Sequence, residues 1–226
     1  MTNNDLHKTI AGVLLCLLLA TGVSGQYRDA GLWINATLEK KIVKDLDLVL
    51  TEELRLNENI TEAGAFFTEV GLDYRLYKRL KAGIYYRYIN RRNVNDTYRQ
   101  SHRFFLELAY RPRIERFEIG YRIRFQAQFT DINRQPEGTI PEWYMRHKLQ
   151  LAYNTKSRFD PYISGELWFN LDPLRAEIEN LRLTLGIETR ITKVHSIDFG
   201  YIFQRQYEAM PDEEDYILFI GYKVSL

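Results

Sequence analysis

Residues 117–128, with the sequence FEIGYRIRFQAQ, decide the fold class of this chain. Apolar and polar side chains alternate here without a break. One face would carry Phe117, Ile119, Tyr121, Ile123, Phe125 and Ala127, and the other Glu118, Gly120, Arg122, Arg124, Gln126 and Gln128. A period of two residues is typical of a β-strand with one apolar and one polar face. The stretch has the length that a tilted strand needs to cross a bilayer, about 9–11 residues.

The same alternation recurs in eleven segments along the chain. They are residues 30–38, 46–56, 66–76, 82–88, 104–110, 117–127, 143–153, 163–171, 181–187, 197–203 and 216–226. Short connections such as 77–80, 112–115 and 154–158 take turns with longer polar ones such as 57–65, 91–101, 130–142 and 204–215. This pattern predicts an all-β chain, a transmembrane antiparallel up-and-down β-barrel of 10–12 strands with short periplasmic turns and longer extracellular loops.

The strand count leaves two alternatives open, because single-chain bacterial barrels have an even number of strands and eleven is odd. In the first, segment 30–38 descends like the last strand, and residues 26–29 lie at the outer rim. In the second, ten strands from Leu46 onward close the barrel and the first segment is accessory. A soluble β-sandwich or lipocalin-like barrel would show the same alternation, but sandwich strands are usually only about five or six residues long.

The first 25 residues have the features of a signal peptide. Lys8 precedes an almost purely apolar stretch, residues 10–19, and small residues follow up to Gly25. We predict cleavage between Gly25 and Gln26, which leaves residues 26–226 as one barrel domain. The only cysteine, Cys16, lies in the removed segment. The mature chain is then expected to hold neither a disulfide nor a thiolate metal site.

Composition excludes several classes of function. The net charge is +1 with 27% charged residues, so no basic surface predicts nucleic-acid binding. After Gly25 no run of about 18 apolar residues predicts a transmembrane helix. Aromatic residues make up 14% of the chain, as expected for a protein rich in strands. His102, His147 and His195 lie on separate segments without metal-ligand spacing, and no cofactor is predicted.

The polar face of the strands carries the candidate functional residues. The basic ones are Arg55, Arg75, Arg87, Arg103, Arg122, Arg124, Arg146, Lys148, Arg182 and Arg190, and the acidic ones are Glu53, Glu69, Asp73, Glu107, Glu118, Glu166, Glu188 and Asp198. Opposite charges that are nearly balanced in a narrow barrel are expected to pair. They would form either a salt-bridged plug, which we favour because so few strands leave little room, or the lining of a charge-selective channel.

Three positions do not fit a plain apolar face or a plain turn. Glu52 and His147 interrupt lipid-facing positions, and a carboxylate at mid-depth is costly. We expect a β-bulge to turn Glu52 inward or, failing that, contact with a protein partner. His195-Ser196 in a short turn is the only hint of a lipid-modifying enzyme such as a lipase or deacylase. It lacks the His-x-Ser-Asn order of such enzymes, so no catalytic residue is predicted.

Several stretches resemble a known family. They are Trp33, residues 52–55 (EELR), 71–76 (GLDYRL), 82–88 (AGIYYRY), 146–151 (RHKLQL) and 181–201. Together they are similar to the domain-of-unknown-function 2490 family, exported proteins of Bacteroidota-type bacteria that are interpreted as outer-membrane barrels. The resemblance implies an outer-membrane location in a Gram-negative bacterium, and it transfers no catalytic or binding residue.

The expectation is therefore an integral outer-membrane barrel of unassigned role, non-enzymatic, with a largely plugged lumen. A small passive channel or transporter and an outer-membrane lipid-modifying enzyme are the alternatives. The expected partners are the lipid bilayer, the barrel-assembly machinery during biogenesis and, near Glu52, another protein; nucleic acid is not among them.

Overall fold

A computed structural model describes residues 27–93, 95, 97–130, 141–171, 177–207 and 213–226 of the chain. The predicted signal peptide, residues 1–25, and its cleavage site lie outside this range. Within it all regular structure is β-strand, and no helix is long and apolar enough to span a membrane.

Eleven long strands and one short strand make up the fold. They are β1 (Tyr27–Val43), β2 (Leu46–Asn57), β3 (Glu62–Tyr77), β4 (Leu80–Arg92), β5 (Tyr98–Tyr110), β6 (Arg113–Ile114), β7 (Phe117–Thr130), β8 (Glu142–Tyr153), β9 (Phe159–Asn170), β10 (Ile178–Arg190), β11 (His195–Gln206) and β12 (Glu213–Ser225). Each of the eleven predicted segments lies within or largely within one long strand. Most strands extend beyond the predicted bounds, because polar residues near the rims still pair with their neighbours.

The sheet closes into a barrel of eleven strands. Long strands that follow each other in sequence pair antiparallel, with β5 pairing directly to β7, while β6 adds only two residue pairs to the edge of β7. The barrel is completed by β1 and β12, which run parallel from Tyr27↔Glu213 to Glu39↔Ser225. The predicted all-β barrel is thus confirmed, with eleven strands inside the range of 10–12.

This parallel seam decides between the two alternatives for the first segment. Leu38 lies opposite Leu50 on β2 and opposite Val224 on β12, so β1 is fully inserted between its two neighbours. The alternative in which ten strands close the barrel from Leu46 onward is therefore wrong. An odd number of strands must contain one parallel pair, and here that pair joins the first and last strands.

Connections at the two ends of the barrel differ, as predicted. One end, called here the turn end, carries the links after β1, β3, β5, β8 and β10. Its tightest turns are Lys44-Asp45, with Asp45 at φ 64°, and Lys78-Arg79. The opposite end, called the loop end, carries the other links, of which 131–140, 172–176 and 208–212 lie outside the described residues. The predicted loop 57–65 is shorter than expected, since β2 ends at Asn57 and β3 begins at Glu62.

The distribution of side chains is the reverse of that in a soluble protein. Large apolar side chains on the outer face are exposed, for example Ile84 at 59% and Leu106 at 56%. Charged side chains on the inner face are buried, with Arg124 at 7% and Glu166 at 4% exposed.

Inward-facing glycines make room for tyrosine rings in the half of the barrel nearer the turn end. A Cβ at Gly71 or Gly83 would collide with the ring of Tyr85, and one at Gly186 would lie 2.6 Å from Cζ of Tyr162. Both rings lie flat across neighbouring strands because those strands carry no side chain there. The Tyr85 ring also stacks on Phe105, with centroids 4.8 Å apart.

The parallel seam can be tested by cross-linking. Residues 26–226 contain no cysteine. In a chain of these residues, Leu38→Cys with Val224→Cys should form a disulfide, because the two positions are direct partners across β1 and β12. The matched pair Leu50→Cys with Val224→Cys should not, since β1 lies between them. The readout is mobility of the denatured, non-reduced chain on a gel. The opposite result would show a ten-stranded barrel closed by β2 and β12.

Candidate functional site: the charged barrel interior

Glu166 on β9 is the centre of the interior charge network. Its Oε1 lies 2.5 Å from Nη2 of Arg122 and 2.9 Å from Nη2 of Arg146, and its Oε2 lies 3.9 Å from Nη1 of Arg182. The three arginines come from β7, β8 and β10. One carboxylate therefore ties together four strands, and three guanidinium groups share its single negative charge.

Three further ion pairs line the same region. Arg124 donates through Nη2 to Glu107 at 2.7 Å, and Arg87 donates to Glu69 at 2.6 Å. Arg55 and Glu53, two residues apart on the same face of β2, pair at 2.5 Å. A second contact of 3.6 Å joins Arg122 to Glu107 and so links the Glu166 cluster to β5.

Aromatic rings stack against most of these guanidinium groups. The Cζ atom of Arg55 lies 3.6 Å from the ring centroid of Trp33, and that of Arg124 lies 3.9 Å from Phe105. Trp168 is shared by Arg146 and Arg182, at 4.4 and 4.5 Å. Stacking of this kind stabilises a desolvated guanidinium without neutralising it. Sequence reasoning assigned no role to Trp33 and Trp168, although their inward positions on β1 and β9 could have indicated one.

Arg103 and Lys148 line this region without an ion pair to a carboxylate among the described residues. Arg103 donates through Nε to Oε1 of Gln128 at 3.1 Å. Lys148 makes no ion pair, because its direct cross-strand partner Glu166 is occupied by the three arginines.

Other predicted residues lie nearer the turn end and pair outside the Glu166 cluster. Asp73 accepts a hydrogen bond from Tyr85 and lies 3.5 Å from Lys81. Arg75 faces Asp45 at 3.9 Å and Arg190 pairs with Asp160 at 2.9 Å. Two more pairs complete the set: Glu118 with Arg113 at 2.7 Å, and Asp198 with the hydroxyl of Tyr162 at 2.9 Å. Glu188 lies directly opposite Asp198 in the β10–β11 pairing. None of these pairs includes Glu166. Arg75 and Arg190 are about half exposed, whereas Asp198 also lines the interior cavity.

A cavity of about 440 Å³ lies within the barrel beside the Glu166 cluster. Among the described residues, nine arginine or lysine side chains line it against four carboxylates, those of Glu53, Glu166, Glu179 and Asp198. Glu69 and Glu107 pair with two of these arginines from outside the lining. Among the described groups around the cavity, basic side chains therefore outnumber acidic ones, which the near balance of charge in the whole chain had not indicated.

Glu52 faces outward, so the expected inward bulge is wrong. Its register with Ala36 and Thr68 is regular, and the nearby irregularity in the β2–β3 pairing falls between Arg55 and Leu56. Its Oε2 accepts a hydrogen bond of 2.9 Å from the Thr68 hydroxyl. Contact between Glu52 and another protein stays a prediction.

The three histidines of the described chain each share a hydrogen bond with a tyrosine on the neighbouring strand. The Nδ1 to Oη distances are 2.8 Å for His102 with Tyr86, and 2.7 Å for His147 with Tyr121 and for His195 with Tyr222. His195 pairs in register with Val224 and Ser196 with Lys223, so the two side chains point to opposite faces of β11. They cannot act as a nucleophile and its base. Within the described ranges, no group of three or more His, Cys, Asp or Glu is placed to hold a metal ion.

Removing the central carboxylate should destabilise the barrel strongly. We expect Glu166→Gln to lower the free energy of unfolding by about 3–5 kcal/mol, because three buried guanidinium groups lose their shared counter-charge. The matched variant Glu118→Gln, which breaks an exposed rim pair with Arg113, should cost about 0–1 kcal/mol. Urea unfolding in detergent micelles measures both. Equal effects would contradict the central role of Glu166.

The model of the family described as "Protein of unknown function (DUF2490)" matches residues 30–215. No curated protein matches. Among solved structures, the chain is similar to the β domain of the Bordetella autotransporter BrkA, at 12% identity and a TM-score of 0.47 over 82% of this chain and 86% of that chain. The family match covers most of the chain and confirms the resemblance found in its sequence, so this protein belongs to the DUF2490 family.

Proposed function

We propose that this protein is an integral outer-membrane β-barrel of a Gram-negative, Bacteroidota-type bacterium, non-enzymatic, with a lumen largely filled by ion-paired side chains. The observation that carries the proposal is the apolar belt on the outer face. Cross-strand register joins Leu72, Ile84, Leu106, Phe125 and Met145 into one continuous row across β3, β4, β5, β7 and β8. A monomer in water would expose an apolar surface far larger than soluble proteins tolerate.

Aromatic residues at the two ends of the belt support insertion into a bilayer. Near the turn end, Phe117 packs on Tyr153 with ring centroids 5.1 Å apart. Near the loop end, Phe125 packs on Trp143 at 5.1 Å and Phe203 on Tyr216 at 5.6 Å. Aromatic girdles of this kind lie at the level of the lipid headgroups in outer-membrane barrels. Closure of the sheet also satisfies the backbone hydrogen bonds, which is the condition for a strand to cross hydrocarbon.

The depth of the belt gives a sharp test of membrane insertion. Leu106→Arg, midway along β5, should lower the free energy of unfolding in lipid vesicles by about 2–4 kcal/mol, because it places a charge near the centre of the bilayer. Ile114→Arg, at the turn end, should cost about 0–1 kcal/mol. The two side chains are similarly exposed, at 56% and 61%, so a difference in exposure does not explain the expected difference in cost.

If both variants unfold like the unmodified protein, the belt does not face lipid and the barrel is soluble. Fractionation gives an independent check. We expect the unmodified protein to separate with outer membranes and to run as a compact, heat-modifiable band on a gel.

The filling of the lumen supports a barrel that does not conduct freely. Arg124 and Arg146 extend inward from neighbouring strands and stack on Phe105 and Trp168. Tyr85 and Phe105 form a second layer closer to the turn end. A small passive channel is the second candidate function, and the basic-lined cavity of about 440 Å³ is the observation in its favour.

Conductance separates these two candidates. Purified protein in planar lipid bilayers should give no stable, reproducible current steps, because ion pairs and aromatic layers occupy the lumen. Heat-modifiability of the same preparation in vesicles controls for insertion. Uniform steps from inserted protein would support the channel and overturn the plugged lumen.

The remaining parts of the proposal concern catalysis and partners. The opposite orientations of His195 and Ser196 support a role without lipid hydrolysis. We propose the lipid bilayer as the permanent partner and the barrel-assembly machinery as the partner during biogenesis. A protein contact at Glu52 is the least supported of these, because Thr68 already donates a hydrogen bond to the carboxylate.

A further inference from the structure

We propose that the interior cavity is a binding site for a free, water-soluble oxyanion such as phosphate. The inference goes beyond the proposed function, since it depends on the barrel interior and not on insertion into a membrane. The cavity, of about 440 Å³, has room for a phosphate or a somewhat larger carboxylate or phosphate ester.

The first argument is the repulsion that the fold tolerates around the cavity. Arg87 lies directly opposite Arg103, Arg124 opposite Arg146, and Arg122 opposite Lys148. Like charges that face each other across a strand pair destabilise a sheet. Three such pairs lie on neighbouring strands of one narrow interior. A bound anion would reduce the repulsion between their positive charges.

The second argument is the set of donors available to an anion. Lys148 and Arg103 have no carboxylate partner among the described residues. Nε of Arg122 and Nε1 of Trp168 are buried N–H groups without a hydrogen-bond partner, and both side chains line the cavity. An ammonium group and guanidinium groups are the donors that bind oxyanions most strongly, through short, charge-assisted hydrogen bonds.

The third argument is how the neighbouring arginines are held. Trp33, Phe67 and Trp168 stack against the guanidinium groups of Arg55, Arg146 and Arg182. Their positions are thereby fixed in the absence of an anion, which lowers the cost of ordering a site when the ligand binds. A filling that served only to plug the lumen would need no cations beyond those its carboxylates neutralise.

The test uses the full mature barrel in maltoside micelles, with inorganic phosphate as the probe. Calorimetry should detect binding, and phosphate should raise the midpoint temperature of heat modification above that in chloride at matched ionic strength. Lys148→Met should weaken the phosphate affinity about tenfold, the size expected for one charge-assisted hydrogen bond. Lys148→Arg should restore most of it. The control Lys44→Met, in the exposed turn between β1 and β2, should stay within about twofold.

Three outcomes would overturn the proposal. Equal stabilisation of the barrel by phosphate and by chloride at matched ionic strength would show ionic screening and no phosphate site. The compact gel band shows whether Lys148→Met is folded. If the folded variant binds phosphate as tightly as the unmodified protein, Lys148 is not part of the binding site. Stabilisation by phospholipid added to the micelles, but not by inorganic phosphate, would identify a lipid headgroup and not a free anion as the ligand. None of these depends on conductance or on membrane fractionation, so the proposed function is tested separately.

Discussion

The barrel depends on the parallel pairing of β1 with β12. Ten antiparallel pairings produce an open sheet of eleven long strands with two unpaired edges, and only this seam joins them. Unpaired backbone groups cannot be left facing hydrocarbon, and in water they would invite pairing with other chains. The seam continues past the last strand, where the amide of Leu226 donates to the carbonyl of Glu39 and its carbonyl accepts from the amide of Lys41.

Closure of the barrel also determines which side chains are enclosed and must be paired or stacked inside it. Every second residue of each strand is enclosed, and in this chain most of those residues are charged or aromatic. Burial of so many charges is tolerated because they are paired with each other or stacked on rings, as in the sharing of Glu166 by Arg122, Arg146 and Arg182. The same crowding explains the tyrosine rings over Gly71, Gly83 and Gly186, since a side chain at those positions would have no space.

Periodicity predicted the strands and their faces well, because alternation is a local property that survives in every segment. It placed the Arg122 and Arg124 side chains inward together with Glu107 and Glu166. It could not say which arginine meets Glu166, because those partners are 16 to 44 residues apart and their contacts depend on register between strands. The bulge expected at Glu52 was wrong for a related reason: the hydroxyl that solvates this carboxylate belongs to Thr68 on the next strand. Strand count was undecided until β1 could be seen beside β12.

The odd number of strands has a consequence for the accessibility of the chain. Because β1 and β12 run in the same direction, Tyr27 lies at the loop end and Ser225 at the turn end. An inserted barrel of this kind separates the start of its first strand and the end of its last strand into different compartments. Biogenesis would then have to carry the start of β1 across the bilayer, a step that an even-stranded barrel with both termini in the periplasm does not require.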